Sequence, residues 1–353
     1  MELHPRMNQR WLLTTRPHGQ ARESDFTWDE GPVEALAEGE VLVRTVHLSL
    51  DPTNRVWMNE AESYLPAIAL GGVMRGGGIG VVEESRNPRF APGDLAAGLL
   101  GWQRYSVSDG RGLSKVTPMP VPFTAYLSAL GHIGLTAYFG LLDIGKPKAG
   151  ETLVVSAGAG AVGSLVGQIG KIKGCRVVGI AGSEDKCRWM RDDLDFDAVI
   201  NYRIENLQEA LRRHAPEGID IYFDNVGGRI LEVAIDHLAM RARIVACGMI
   251  SQYNNPDPHG PANLGRLITK RARIEGFLCT DYSGRALEAF TDIVQWMQTG
   301  KLHYRVDVID GLKNAPRALD RLFDGSNTGK LLVRVSDEPA AAVIPTVSSG
   351  FLN

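Results

Sequence analysis

Residues 152–186 read TLVVSAGAGAVGSLVGQIGKIKGCRVVGIAGSEDK, and this stretch decides the fold. A short apolar run, TLVVS, leads directly into Gly158-Ala159-Gly160-Ala161-Val162-Gly163, and AVGSLVGQIGKIK continues with helical spacing. A GxGxxG pattern alone says little. Set between a strand and a helix, it describes a cradle for a dinucleotide. Gly158 permits the tight turn, Gly160 lets backbone approach a pyrophosphate, and Gly163 lets helix and strand pack closely. The helix start then presents unpaired N–H groups and a positive dipole end to phosphate.

The second strand, RVVGIA, carries the next decision at its end. An NAD site places a carboxylate there, about 20 residues on, to hold the ribose 2′-hydroxyl. Here the chain reads Ala181-Gly182-Ser183, and Lys186 follows within one helical turn. A hydroxyl and a cation suit a 2′-phosphate, so the expected cofactor is NADPH/NADP+, with Ser183 and Lys186 as its readers. Glu184 and Asp185 stand against this reading, since either could face the same phosphate.

Working outward, apolar runs alternate with helical segments from about Gly131: DAVINY (197–202), DIYFDNV (220–226), RIVACGM (243–249) and RIEGFLC (273–279). Such spacing predicts a doubly wound parallel sheet of Rossmann type, helices on both faces. Before residue 130 the text is β-like, with EVLVRTV alternating and glycine or proline every ten or so residues. After about 300 come YRVDVI, a helix around Ala315–Phe323, and KLLVRV. The expected organisation is residues 131–304 as the nucleotide-binding domain, with 1–130 and 305–353 as the substrate domain. The tail SDEPAAAVIPTVSSGFLN is expected to be poorly ordered.

A net charge of −3 gives no attraction to nucleic acid or anionic membrane. No stretch nears the roughly 18 apolar residues of a membrane span, and the start lacks the apolar run of a signal peptide. The four cysteines, Cys175, Cys187, Cys247 and Cys279, form no CxxC pair, which reads as buried free thiols in a reducing, cytoplasmic setting. No cysteine lies in the first 174 residues, and His4, His18, His47 and His132 lack ligand spacing, so no catalytic zinc is expected. Without a metal to polarise an alcohol, hydride delivery to an electron-poor alkene is the favoured chemistry.

Together GLTAYFG (134–140), the glycine-rich stretch, FDNVGG (223–228), ACGMISQYN (246–254) and GSNTGK (325–330) resemble the zinc-independent medium-chain dehydrogenase/reductase family of prostaglandin, curcumin and alkenal double-bond reductases. The likeness covers nearly the whole chain, and residues 49–82, SLDPTNRVWMNEAESYLPAIALGGVMRGGGIGVV, resemble most the bacterial curcumin-reductase branch. The resemblance implies a mainly β, GroES-like catalytic domain beside the Rossmann domain. It places Gly160, Ala161, Val162 and Gly163 at the pyrophosphate and Lys186 at the 2′-phosphate. Tyr202 falls near the adenosine, although RWMRDDLDFDAV before it is one residue longer than the family pattern. Asn225 and the run Cys247, Gly248, Ile250, Ser251 and Tyr253 would line the cofactor. Phe277, Leu278 and Cys279 would pass the nicotinamide, and Asn327 would reach across the cleft. A homodimer is implied, with RIEGFLC as the edge strand that pairs across a two-fold axis.

The expected reaction is NADPH-dependent reduction of the double bond of an α,β-unsaturated ketone or aldehyde. Hydride reaches the β-carbon, and the enolate is then protonated at the α-carbon. The proton donor must stay protonated at neutral pH, which suits tyrosine. Tyr253 and Tyr64 are the two candidates, with water bound to a ribose hydroxyl as a third source. Tyr64, Met74, Met249, Tyr253 and Tyr282 are expected to wall the pocket. Competing readings are a quinone reductase of the same superfamily, a noncatalytic NADPH-binding protein, and a dehydrogenase acting on allylic alcohols.

Overall fold

The computed structural model describes residues 6–60, 63–258 and 260–339. Six strands form one parallel sheet: β1 (Thr152–Val155), β2 (Arg176–Ala181), β3 (Ala198–Asn201), β4 (Ile219–Asp224), β5 (Leu238–Ala246) and β6 (Arg273–Gly276). Their order is β3-β2-β1-β4-β5-β6, so the direction of winding reverses between β1 and β4. In open sheets of this kind, ligands bind outside the carboxyl ends of the strands at that switch point. The inner strands read as apolar runs because both faces are covered, whereas β6 at the edge is exposed. Leu153, Val154 and Val155 of β1 are fully buried, each burial being worth about 1.5–3 kcal/mol.

The helices begin where the sequence supplies caps. Gly160 precedes the helix α1 (Ala161–Ile172). Ser183 caps α2 (Glu184–Asp192), its hydroxyl accepting from the Lys186 amide. Tight packing behind the glycine-rich turn makes small residues obligatory. A Cβ on Gly163 would stand 2.3 Å from the Ala157 carbonyl oxygen, inside any tolerable contact.

The second sheet is mainly antiparallel. Val41–Ser49 lies at its centre, flanked by Gly78–Ser85 and, towards one end, by Tyr105–Ser108. The chain returns to it: Lys330–Arg334 pairs antiparallel with Val41–Ser49, and Val306–Asp310 adds in parallel beside it. The helix between them, Ala315–Asp324, has proline at its start and ends at Gly325, in the left-handed conformation with φ 75°. A smaller sheet holds Met7–Leu13 between Phe26–Pro32 and Gly72–Val73.

Two expectations are corrected. The tail is anchored at its beginning, because its polar residues find partners on the sheet. The Ser336 hydroxyl donates to the Thr45 carbonyl at 2.6 Å, and Glu338 sits 2.9 Å from His47 Nε2. Residues 340–353 lie outside the described residues. The last parallel strand is shorter than RIEGFLC, since Phe277 turns inward. Its ring lies where a Cβ on Gly140 would meet it at 2.5 Å, and a 3-10 turn starts at Cys279.

Candidate active site

The glycine-rich turn sits at the carboxyl end of β1, facing the crevice. Gly160 has an extended backbone (φ −81°, ψ 175°) that any residue can adopt, and a Cβ there would meet only the Ala157 carbonyl oxygen at 3.1 Å. That contact is tight but less severe than the one at Gly163, so the fold demands glycine less strictly here. Ala161 and Val162 are the first helical residues, so their N–H groups belong to the set without partners inside the helix. The returning segment completes the cradle: the Gly329 amide donates to the Ala159 carbonyl at 3.1 Å, and Gly160 and Gly329 form a parallel bridge. Asn327 is buried beside it, its amide donating to the Gly329 carbonyl at 3.2 Å.

At the end of β2, Gly182 makes room for a ring. A Cβ there would stand 2.9 Å from the Tyr202 hydroxyl, and the Tyr202 amide donates to the Ala181 carbonyl. Tyr202 thus lies against the end of β2, where Ser183 caps α2 and Lys186 follows in its first turn. Glu184 and Asp185 are exposed, with Asp185 beside Arg188 at 3.4 Å. The Lys186 ammonium donates to the Gly325 carbonyl at 2.8 Å. A groove of about 490 Å³ opens next to this cluster, with Tyr202, Val226, Gly227 and Ser251 among its walls.

Asn225 lies just past β4, where its side-chain amide donates to the Ser156 carbonyl at 2.7 Å. That bond ties the ends of β1 and β4 together at the switch point. Beyond β5 the chain folds over the same edge. The amides of Cys247 and Gly248 both donate to the Asp224 carbonyl, that of Ile250 to Asn225 and that of Ser251 to Val226. Burial pushes the Cys247 thiol up to about 12, so it stays protonated and unreactive.

The Tyr253 hydroxyl accepts the Met249 N–H at 3.0 Å. Its oxygen is thereby oriented while its own proton remains to be donated. Burial raises its pKa above the ordinary tyrosine value. Tyr64, half-exposed, packs edge-on against Trp57 at 6.5 Å, and burial raises its pKa also. Tyr64 comes from the N-terminal part of the chain and Tyr253 from the segment after β5. Leu278 is partly exposed. Met249 is exposed, whereas Met74 is fully buried in the core with Trp102 and Leu13. Met74 is thus a core residue and not a pocket wall, because its backbone is held between Trp11 and Trp102, its amide donating to the Trp11 carbonyl and its carbonyl accepting from the Trp102 amide. Tyr282 stacks on Phe139 at 4.5 Å.

A buried ionic cluster joins the parts of this cleft. Lys330 is 1% exposed, and its ammonium donates to Asp51 Oδ1 at 2.7 Å and to the Leu50 carbonyl at 2.6 Å. His132 Nε2 lies 3.2 Å from the same carboxylate oxygen, and the Ser49 hydroxyl donates to the other. Burial alone would raise the Asp51 pKa, but the charge of Lys330 and then of His132 holds it far below the usual carboxylate range. One helical turn beyond His132, the Thr136 hydroxyl donates to the His132 carbonyl at 2.7 Å. Asp51, Lys330 and their link to His132 are not among the sequence-predicted site residues. The available signal was a charge at each junction with an apolar strand: Asp51 after HLSL and Lys330 before LLV. Among the described residues, no three of His, Cys, Asp and Glu form a group able to hold a metal ion.

Comparison with known proteins gives the same picture. Residues 9–116 match the family model described as N-terminal domain of oxidoreductase, and 161–299 the one described as zinc-binding dehydrogenase. NADPH-dependent curcumin reductase of Escherichia coli is 44% identical, over 94% of this chain and 98% of that protein. The NADP(+)-dependent 2-alkenal reductase of Nicotiana tabacum is 42% identical over 94% and 98%. The crystal structure of CurA from Vibrio vulnificus in complex with NADPH superposes with a TM-score of 0.89 at 42% identity, covering 94% of this chain and all of that one. Similarity of this extent places the chain in the medium-chain dehydrogenase/reductase family that includes the curcumin, alkenal and prostaglandin reductases.

Proposed function

We propose that this protein is an NADPH-dependent reductase of carbon–carbon double bonds conjugated to a ketone or aldehyde. The observation that carries the reading is the Tyr253 phenol. It sits at the carboxyl edge of the sheet beside the dinucleotide cradle, oriented by Met249 and holding its proton. The residues present fit the cofactor: the glycine-rich turn leads into the start of α1, and Ser183, Lys186 and Tyr202 at the end of β2 would read the ribose phosphate. When bound, NADPH supplies the hydride that reaches the substrate's β-carbon.

The chain's own residues do the rest. Backbone N–H groups of Ala161, Val162 and Gly163 at the start of α1 would hold the pyrophosphate. Asn225, the run Cys247–Tyr253, residues Phe277 to Cys279, and Asn327 would frame the cofactor from both sides of the cleft. Negative charge developing on the substrate carbonyl oxygen needs a hydrogen-bond donor in place, an arrangement worth about 2.7–4 kcal/mol in comparable oxyanion sites. We assign Tyr64 to that oxygen and Tyr253 to delivery of the proton; water on a ribose hydroxyl is the competing proton source. Tyr64, Met249 and Leu278 give the site an apolar rim suited to planar, extended enones.

We further assign residues 131–304 to the nucleotide-binding domain and 1–130 with 305–353 to the catalytic domain, supported by the pairing of Lys330–Arg334 with Val41–Ser49. A homodimer is supported by β6, which among the described residues is an edge strand and is exposed along its length, and by the exposed Ile268 and Leu287, at 80% and 79%. A single monomeric species in sedimentation at micromolar concentration would contradict it. Among the described residues, no helix is long and apolar enough to cross a membrane. A cytoplasmic location agrees with four unpaired cysteines.

The test is a panel of α,β-unsaturated ketones, aldehydes, diarylheptanoids, quinones and allylic alcohols, followed by NADPH absorbance. Enones and enals should be consumed fastest. Faster turnover of quinones would favour the quinone reductase, and no turnover of any compound would leave a cofactor-binding protein without catalysis.

A further inference from the structure

The end of β2 holds a second cation that the sequence does not announce. Arg203, next after Tyr202, donates from Nη2 to the Asp324 carbonyl at 2.9 Å, while Lys186 donates to the next carbonyl, Gly325, at 2.8 Å. Both side chains therefore meet at the carboxyl end of the helix Ala315–Asp324, where the dipole favours positive charge. The two cations are close. The point where a Cβ on Gly325 would stand is 3.7 Å from Arg203 Nη2 and 3.8 Å from Lys186 Nζ. Burial lowers the Lys186 pKa, the neighbouring charge of Arg203 lowers it further, and the Asp324 carboxylate opposes them. That carboxylate is engaged locally, accepting the Ser326 amide at 2.7 Å.

Like charges held together beside a hydroxyl and a phenol make a local positive field, opposed in part by Asp324. Each carbonyl contact uses one of the three ammonium donors and one of the five guanidinium donors, so both groups retain capacity for further acceptors. A phosphate monoester presents several strong acceptor oxygens, and guanidinium binds such oxygens with fixed geometry.

We propose that Arg203 is a specificity-determining residue for NADPH over NADH, acting with Lys186 as a two-cation grip on the ribose 2′-phosphate. The same pair of cations holds the segment that carries Asn327 and Lys330, so recognition of the phosphate is joined mechanically to the closing strand of the cleft. This inference rests on the NADPH reading above and names a residue that reading does not include.

The experiment compares wild type with Arg203→Gln and Arg203→Lys. Calorimetry with adenosine 2′,5′-bisphosphate and with 5′-AMP isolates the 2′-phosphate from the rest of the cofactor. Arg203→Gln should weaken the bisphosphate about tenfold, the loss expected for one charge-assisted hydrogen bond, with 5′-AMP unchanged. Arg203→Lys should recover most of it, and the wild-type advantage should shrink as salt is raised. In turnover the KM for NADPH should rise about tenfold with kcat and the KM for NADH unchanged. Equal weakening of both nucleotides, or no change in either, would overturn the proposal and leave Arg203 a tie to the helix end. Wild-type protein that does not distinguish the two nucleotides would overturn the NADPH reading itself.

Discussion

The nucleotide cradle and the ionic clasp at Asp51 are built on opposite plans. The cradle is contiguous: within 35 residues the chain supplies strand, turn, helix, second strand and phosphate reader, all held by local backbone geometry. The clasp is assembled from residues 51, 132 and 330, which meet only after both sheets have formed and the C-terminal strand has returned. Glycines carry the first and charges the second. Local geometry writes itself into spacing, whereas a long-range ion pair leaves only isolated letters. The two regions should therefore fail differently when perturbed.

The largest effect is expected at the clasp. Lys330→Met leaves the Asp51 carboxylate buried without its main partner and should destabilise the fold by about 3–5 kcal/mol in denaturant unfolding. Asp51→Asn provides the pH signature. Because the folded-state pKa of Asp51 is depressed, its contribution is complete above the unfolded value near 4 and is lost as pH falls through the folded value. The stability difference between wild type and Asp51→Asn should accordingly shrink below about pH 4. A constant difference across that range would break the contrast between the two regions.

Next in size is Tyr253→Phe, expected to lower kcat about 10²-fold with the unfolding midpoint little changed. Burial raises the pKa of Tyr253 above 10, so the proton is retained through neutral and mildly alkaline pH. The wild-type rate should show no fall from phenol ionisation below about pH 10, and any limb above that should be absent in the variant. Full activity in both Tyr253→Phe and Tyr64→Phe would pass the proton step to water.

The cradle itself can be dissected by two glycines. Gly163→Ala drives a Cβ to 2.3 Å from the Ala157 carbonyl oxygen and should cost about 1–3 kcal/mol of stability. Gly160→Ala, with 3.1 Å to the same oxygen, should leave unfolding nearly unchanged while NADPH binding weakens. Equal effects on stability would show that the two glycines serve the same purpose. The smallest expected change is Ser183→Ala, which removes the N-cap of α2 and should cost about 1 kcal/mol.

These cases also show what was legible in the sequence. The inner parallel strands stood out as apolar runs because burial on both faces removes polar residues, whereas the edge strand β6 is exposed along its length; Gly158 to Gly163 declared the turn. The family resemblance put Tyr202 near the adenosine, and its ring lies over Gly182, where a Cβ would stand 2.9 Å from the phenol oxygen. Met74 was misread as a pocket wall because an isolated methionine in a glycine-rich stretch has no periodicity to reveal its face. The anchored start of the tail escaped because Ser336 and Glu338 depend on Arg44 and His47, some 290 residues away. Arg203 escaped because its partners are backbone carbonyls of a distant helix end, which no residue type advertises.

The most direct measurement of the central claim uses NADPH deuterated at the transferable C4 position with an enone substrate, and locates the label in the product by NMR. A saturated ketone carrying deuterium at the β-carbon, with the carbonyl intact, is the predicted result. An allylic alcohol labelled at the carbinol carbon, or product with no label, would contradict it.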